Sequence, residues 1–162
     1  MAVIIQVIGF KNSGKTTFIN QLIHEFKQES YTVAALKHDY HDFNIDHEGT
    51  DSYSFHVSGA DAVLIASSSH YALMETRAVP LKELLNKLPK TDIVLIEGYK
   101  EAPFPKVVLV NSEADYLELK AKVTTPLYFA SRYSLNKKEI INIAETSQKV
   151  ALAKKIVKEF SR

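Results

Sequence analysis

The chain has 162 residues, 46% hydrophobic and 24% charged, a formal charge of +1 and no cysteine. That length predicts one domain spanning 1–162, with a core of its own, and nothing in the near-neutral charge calls for nucleic acid or an anionic membrane as partner. The missing cysteine excludes disulfides, thiolate zinc sites and cysteine nucleophiles, and fits a reducing, cytoplasmic compartment.

No apolar stretch is long enough to span a bilayer. The apolar start, residues 2–8, lacks a basic flank and is broken by Gln6, so it predicts a strand, not a secretory signal. In chain order, short runs rich in Val, Ile and Leu at 3–8, 33–36, 62–66, 93–96, 107–110 and 127–130 predict strands, buried on both faces of a parallel sheet. Phe18, Leu22 and Phe26, flanked by Ile19 and Ile23, give residues 16–29 one apolar helical face. Residues 62–66 and 71–74 are separated by four residues, too few for a helical crossover, which predicts an antiparallel hairpin at the sheet edge. Pro80 opens a helix over 80–88 with Leu81, Leu84, Leu85 and Leu88. Residues 136–160 read as helical, in one piece or two, with Asn136 and Glu139 resembling a capping box and a break at Thr146–Ser147. The alternation implies βαβ units in an open α/β sheet.

Between the first strand and the first helix stands Gly9-Phe10-Lys11-Asn12-Ser13-Gly14-Lys15-Thr16, which fits Gly-x-x-x-x-Gly-Lys-Ser/Thr in the strand–loop–helix setting the motif requires. Gly9 and Gly14 permit backbone conformations a side chain would hinder. The N–H groups of the loop, Asn12 and Ser13 among them, then point at phosphate oxygens, aided by the helix N-terminus. Lys15 is placed for the β- and γ-phosphates, the Thr16 hydroxyl for Mg²⁺ and Thr17 for the α-phosphate region. The fold expected is therefore a P-loop NTPase-like open, mostly parallel sheet flanked by helices, with an antiparallel hairpin.

The strand at 93–96 has an acid at each end, and ligands in open sheets lie at the carboxyl ends of strands. Glu97 at that end is the expected second support for Mg²⁺; Asp92, at the other, is a turn residue. The polar stretch 37–52 also starts at that edge and holds three of the six histidines. Three readings rank in order: a loop closing over phosphate and Mg²⁺, a plain surface loop, and a transition-metal site from His38, His41 and His47. Asn111 and Asp115 lack the guanine-reading Asn-Lys-x-Asp spacing, so Asn111 or Ser112 is expected as a helix N-cap, and nothing in the motif chooses GTP over ATP.

The phosphate loop followed by Lys37-His38-Asp39-Tyr40-His41-Asp42-Phe43, Asp46, Gly49-Thr50-Asp51-Ser52, Ser58-Gly59-Ala60, Ile96-Glu97-Gly98-Tyr99-Lys100 and Pro105-Lys106 resembles the molybdopterin-guanine dinucleotide biosynthesis protein B family over about the first two thirds of the chain. The resemblance implies a homodimeric, weakly hydrolysing GTP-binding protein. It would use Mg²⁺ and assist a guanylyltransferase that converts molybdenum cofactor to its guanine dinucleotide form. Lys37, His38, Asp51 and Ser52 are then expected to touch the nucleotide or the molybdopterin. The chain departs from the family pattern at Thr50, usually lysine, at Ser58, usually alanine, and over 53–57, where an arginine is usual and His56 or a lysine would have to substitute. Two rivals are a P-loop kinase of a small metabolite, weakened by a chain with only Arg77, Arg132 and Arg162, and a GTP-dependent metal chaperone. A non-catalytic adaptor is close to what the resemblance implies.

Overall fold

The computed structural model describes residues 2–38 and 45–160. In chain order the elements are β1 (Val3–Gly9), α1 (Lys15–Gln28), β2 (Val33–Lys37), α2 (Asp51–Val57), β3 (Ala62–Ala66), β4 (Tyr71–Glu75), α3 (Leu81–Lys87), β5 (Ile93–Glu97), β6 (Lys106–Leu109), α4 (Glu113–Lys122), β7 (Pro126–Ser131), β8 (Ile140–Asn142) and α5 (Thr146–Phe160). They group into two compact units, Met1–His38 with Leu88–Arg162, and Asp39–Lys87.

The first unit is a six-stranded sheet in the order β2-β5-β1-β6-β7-β8, every described pair parallel. Alternate residues of the central strands feed two core layers. Ile5, Val7, Leu95, Val107 and Leu109 pack under Phe18, Leu22 and Phe26 of α1 and Ala153 and Ile156 of α5. Ile8, Val108 and Phe129 pack under Tyr116 and Leu119 of α4. Strands covered on both faces must be apolar throughout, which is why these runs do not alternate. The stagger also matters: β5 pairs with Val3–Val7 of β1, whereas β6 pairs with Gln6–Gly9. The 98–105 connection between them therefore crosses β1 at the level of Gln6.

Residues 136–160 are not helical throughout. Ile140, Ile141 and Asn142 form β8, in register with Phe129, Ala130 and Ser131, so Asn136 and Glu139 precede a strand and cap no helix. Two β-branched residues fit the open edge beside β7, and burying Ile140 and Ile143 in the two core layers outweighs the helical pattern. The predicted break at Thr146 is where α5 starts.

In the second unit β3 and β4 pair antiparallel, with Leu64 opposite Leu73, around a turn closed by the Ser67 N–H on the His70 carbonyl at 2.7 Å. The hairpin is a separate two-stranded sheet, not an edge of the parallel sheet. Arg77 pairs with Glu83 and Glu75, and Lys87 with Glu75, all exposed and so worth little to stability.

Candidate nucleotide-phosphate site

At Gly9 a Cβ would lie 2.4 Å from the Leu109 carbonyl oxygen and 2.5 Å from Ser13 Oγ, so only glycine fits where β1 enters the loop. Asn12, at φ 61°, and Gly14, at φ 91°, are left-handed, a conformation open to glycine and tolerated by asparagine. Gly14 is the N-cap of α1 and supplies no side-chain cap, so the donors of the first turn meet no capping side chain. Ser13 is buried, and its Oγ has no hydrogen-bond partner among the described residues. An uncapped helix start, a loop with no room for a Cβ and an orphaned buried hydroxyl together fit an anion.

Lys15 Nζ donates to the Phe10 carbonyl at 2.9 Å. Burial holds the Lys15 ammonium below its ordinary range; Glu97 opposes that, while Lys100 and Lys37 add to it. Thr16 Oγ1 donates to Glu97 Oε2 at 3.0 Å, a pair of oxygen donors suited to Mg²⁺, which binds through few protein ligands together with phosphate. Thr17 is exposed in the first turn of α1. Lys37 is in register with Glu97 on β2, and the His38 N–H donates to the Glu97 carbonyl at 2.9 Å. The His38 ring lies 4.2 Å from that of Tyr99. Asp92, at the other end of β5, accepts from the Thr32 N–H and hydroxyl at 2.8 and 2.6 Å.

The structure thus brings Gly9, Asn12, Ser13, Gly14, Lys15, Thr16, Thr17, Lys37, His38 and Glu97 to one unit, at the carboxyl edge of its sheet. Asp51 and Ser52 belong to the other unit, in the first turn of α2. There Thr50 is the N-cap, its hydroxyl accepting from the Tyr53 N–H at 3.2 Å and donating to Asp46 Oδ1 at 2.6 Å. Its role as cap accounts physically for a threonine at that position. The hydroxyls of Ser52 and Thr50 hold the Asp46 carboxyl below its usual range. His56 Nδ1 meets Thr76 Oγ1 at 3.4 Å. His41, with the rest of 39–44, lies outside the described residues, and among those described no three His, Asp or Glu side chains gather as a metal site. Ser112 caps α4, accepting from the Asp115 N–H at 3.1 Å, while Asp115 accepts from the Asn111 N–H at 3.0 Å.

Sequence reasoning missed two residues. Gln6 and Lys106 are fully buried, and they are register partners on β1 and β6. Gln6 Nε2 donates to the carbonyls of Gly98 and Tyr99 at 2.9 and 2.8 Å. Lys106 Nζ donates to the carbonyls of Ala102 and Phe104, the latter at 2.8 Å, and burial lowers its pKa, with Glu101 opposing. The pair clamps both ends of the 98–105 connection, including Tyr99, whose φ of 51° is strained for a bulky residue. The available signals were polarity, a glutamine and a lysine each set in or beside an apolar run, and for Lys106 its place in the Pro105-Lys106 pair of the family pattern, neither of which gave a role.

A central parallel sheet with this strand–loop–helix at its carboxyl edge is a fold of the P-loop NTPase type. Within that class the profile of the molybdopterin guanine dinucleotide synthesis protein B family matches residues 4–128, and the chain belongs to that family. It is 36% identical over 111 residues to the Haemophilus influenzae molybdopterin-guanine dinucleotide biosynthesis adapter protein, the aligned stretch covering 66% of this chain but only 62% of that protein. It is 35% identical over 122 residues to the probable adapter protein of Bacillus subtilis, covering 73% of this chain and 70% of the relative. The crystal structure of Bacillus subtilis MobB superposes with a TM-score of 0.76 at 30% identity, covering 93% of this chain and 96% of the other. No described helix is long and apolar enough to cross a membrane.

Proposed function

We propose that this chain binds GTP with Mg²⁺ at the 9–16 loop, hydrolyses it weakly, and acts in the cytoplasm as an adapter to the guanylyltransferase that converts molybdopterin cofactor to its guanine dinucleotide form. One observation carries the nucleotide part: a left-handed Gly14 leads into an uncapped α1 beside Lys15 and the Thr16–Glu97 pair. The adapter role is supported by the names of the relatives, and guanine rests on the family alone. Backbone N–H groups and Lys15 would hold the phosphates, and Thr16 and Glu97 the metal. Mg²⁺, when bound there, would supply neutralisation of the phosphate charge. Calorimetric titration with GTP and ATP, with and without Mg²⁺, tests this. A clear preference for GTP is expected, whereas preference for ATP would move the chain to the kinase reading.

The same reading makes the protein a homodimer. Leu64, Leu73 and Tyr71 share one face of the hairpin, and all are exposed, Tyr71 by 78%. An apolar face of this kind is matched by a second copy. Leu73→Glu, which sets a charge at the centre of that face, is expected to convert dimer to monomer in sedimentation equilibrium. A dimeric mass for that variant would rule out the hairpin as the contact.

A further inference from the structure

Phe10 stands between two lysines. Its carbonyl accepts from Lys15 Nζ at 2.9 Å, and Lys100 Nζ lies 4.7 Å from its ring centroid. Lys15 is the residue that reaches β- and γ-phosphates in this motif, so both ammonium groups belong to the terminal-phosphate end of the loop. Lys100 follows directly on the Gly98–Tyr99 turn that Gln6 holds, and Lys106 holds the far side of the same connection. Its backbone is therefore fixed while its four-carbon side chain is exposed.

The energies favour transfer to an anion. Phe10 is half-buried, but the Lys100 side chain over it is exposed, and an ammonium over an aromatic ring gains less there than from a charge-assisted hydrogen bond to phosphate. A triphosphate needs cations beyond the loop lysine. Of the described arginines, Arg77 is tied to Glu83 and Glu75, and Arg132 lies over the Tyr133 ring. Lysines stand around the loop: among the described residues Lys37 and Lys100 both act on Lys15 there, against the carboxylate of Glu97.

We infer that Lys100 is a second cation for the terminal phosphate of a bound nucleotide, reaching it from its seat on the Phe10 ring. The inference rests on the nucleotide reading above and adds to it a residue that tells triphosphate from diphosphate.

The test titrates the full chain with Mg·GTP and Mg·GDP, as wild type, Lys100→Met and Lys100→Arg. Methionine keeps the apolar contact with Phe10 and removes the charge. Lys100→Met is expected to weaken GTP about tenfold or more while leaving GDP within about twofold, and Lys100→Arg to restore most of the difference. Equal loss on both nucleotides, or loss on neither, overturns the role of Lys100 while the loop assignment stands. Wild-type protein that binds neither nucleotide overturns the nucleotide reading and this inference with it.

Discussion

Lys15→Ala is expected to bind GTP at least about 100-fold more weakly than wild type, close to 3 kcal/mol or more, while its folded stability stays within about 1 kcal/mol. The two halves of that expectation have different origins. Among the described residues Lys15 Nζ donates to the Phe10 carbonyl, and when that bond is lost the carbonyl still accepts from the Ser13 N–H at 3.3 Å. In the proposed complex the same ammonium would pair with the β- and γ-phosphates, and nothing in an alanine replaces it. The pH dependence has a definite sign. Burial lowers the Lys15 pKa from its usual 10.5, with Lys100 and Lys37 contributing and Glu97 opposing. Only the protonated amine pairs with phosphate. Wild-type affinity therefore falls as pH rises through that lowered pKa, sooner than for an ordinary lysine, and Lys15→Ala lacks that fall. Calorimetry at several alkaline pH values, with a denaturant melt of each protein, checks both halves. Unchanged affinity in the variant would end the phosphate-loop assignment.

Much of the site was readable because its chemistry is local. Residues 9–16 are contiguous, and the strand and helix on either side announce themselves by period. A rule about sheet edges selects Glu97 over Asp92, and Glu97 Oε2 accepts from the Thr16 hydroxyl at 3.0 Å. What sequence could not reveal depends on strand order and stagger. Gln6 and Lys106 are separated by a hundred positions, and only the offset pairing of β5 and β6 on β1 makes them neighbours under one connection. Read alone, Gln6 is an interruption in an apolar run. Residues 140–142 failed for a related reason. Three residues are too short to show a period, and their strand character comes from the free edge of β7. Helix α2 is similarly short, and its cap, Thr50, sits where the family pattern has lysine.

Gly9→Ala is expected to be the most damaging single-methyl change in the loop. The added Cβ would sit 2.4 Å from the Leu109 carbonyl oxygen and 2.5 Å from Ser13 Oγ. The backbone neighbour cannot yield, whereas Ser13 Oγ could only turn to another rotamer. Leu109 is fully buried and is the register partner of Gly9 on β6, so its carbonyl belongs to the sheet. Ser13 is buried in the loop itself. The methyl therefore forces apart the junction of β1 and β6, with overpacking costing about 1–3 kcal/mol and the φ of 155°, sparsely populated by residues with a side chain, adding about 1–3 kcal/mol. Gly14→Ala makes the contrast. Its Cβ meets no atom within 4 Å, so it carries only the conformational cost of a φ of 91°. Denaturant unfolding should accordingly rank Gly9→Ala below Gly14→Ala, and Gly14→Ala below wild type. Nucleotide titration should show at least about tenfold weaker GTP binding for Gly9→Ala at temperatures where it remains folded. Equal destabilisation by the two substitutions would mean that the approach of Leu109 and Ser13 to Gly9 does not constrain the loop. The fit of backbone to backbone at the end of β1 would then not be what shapes the phosphate site.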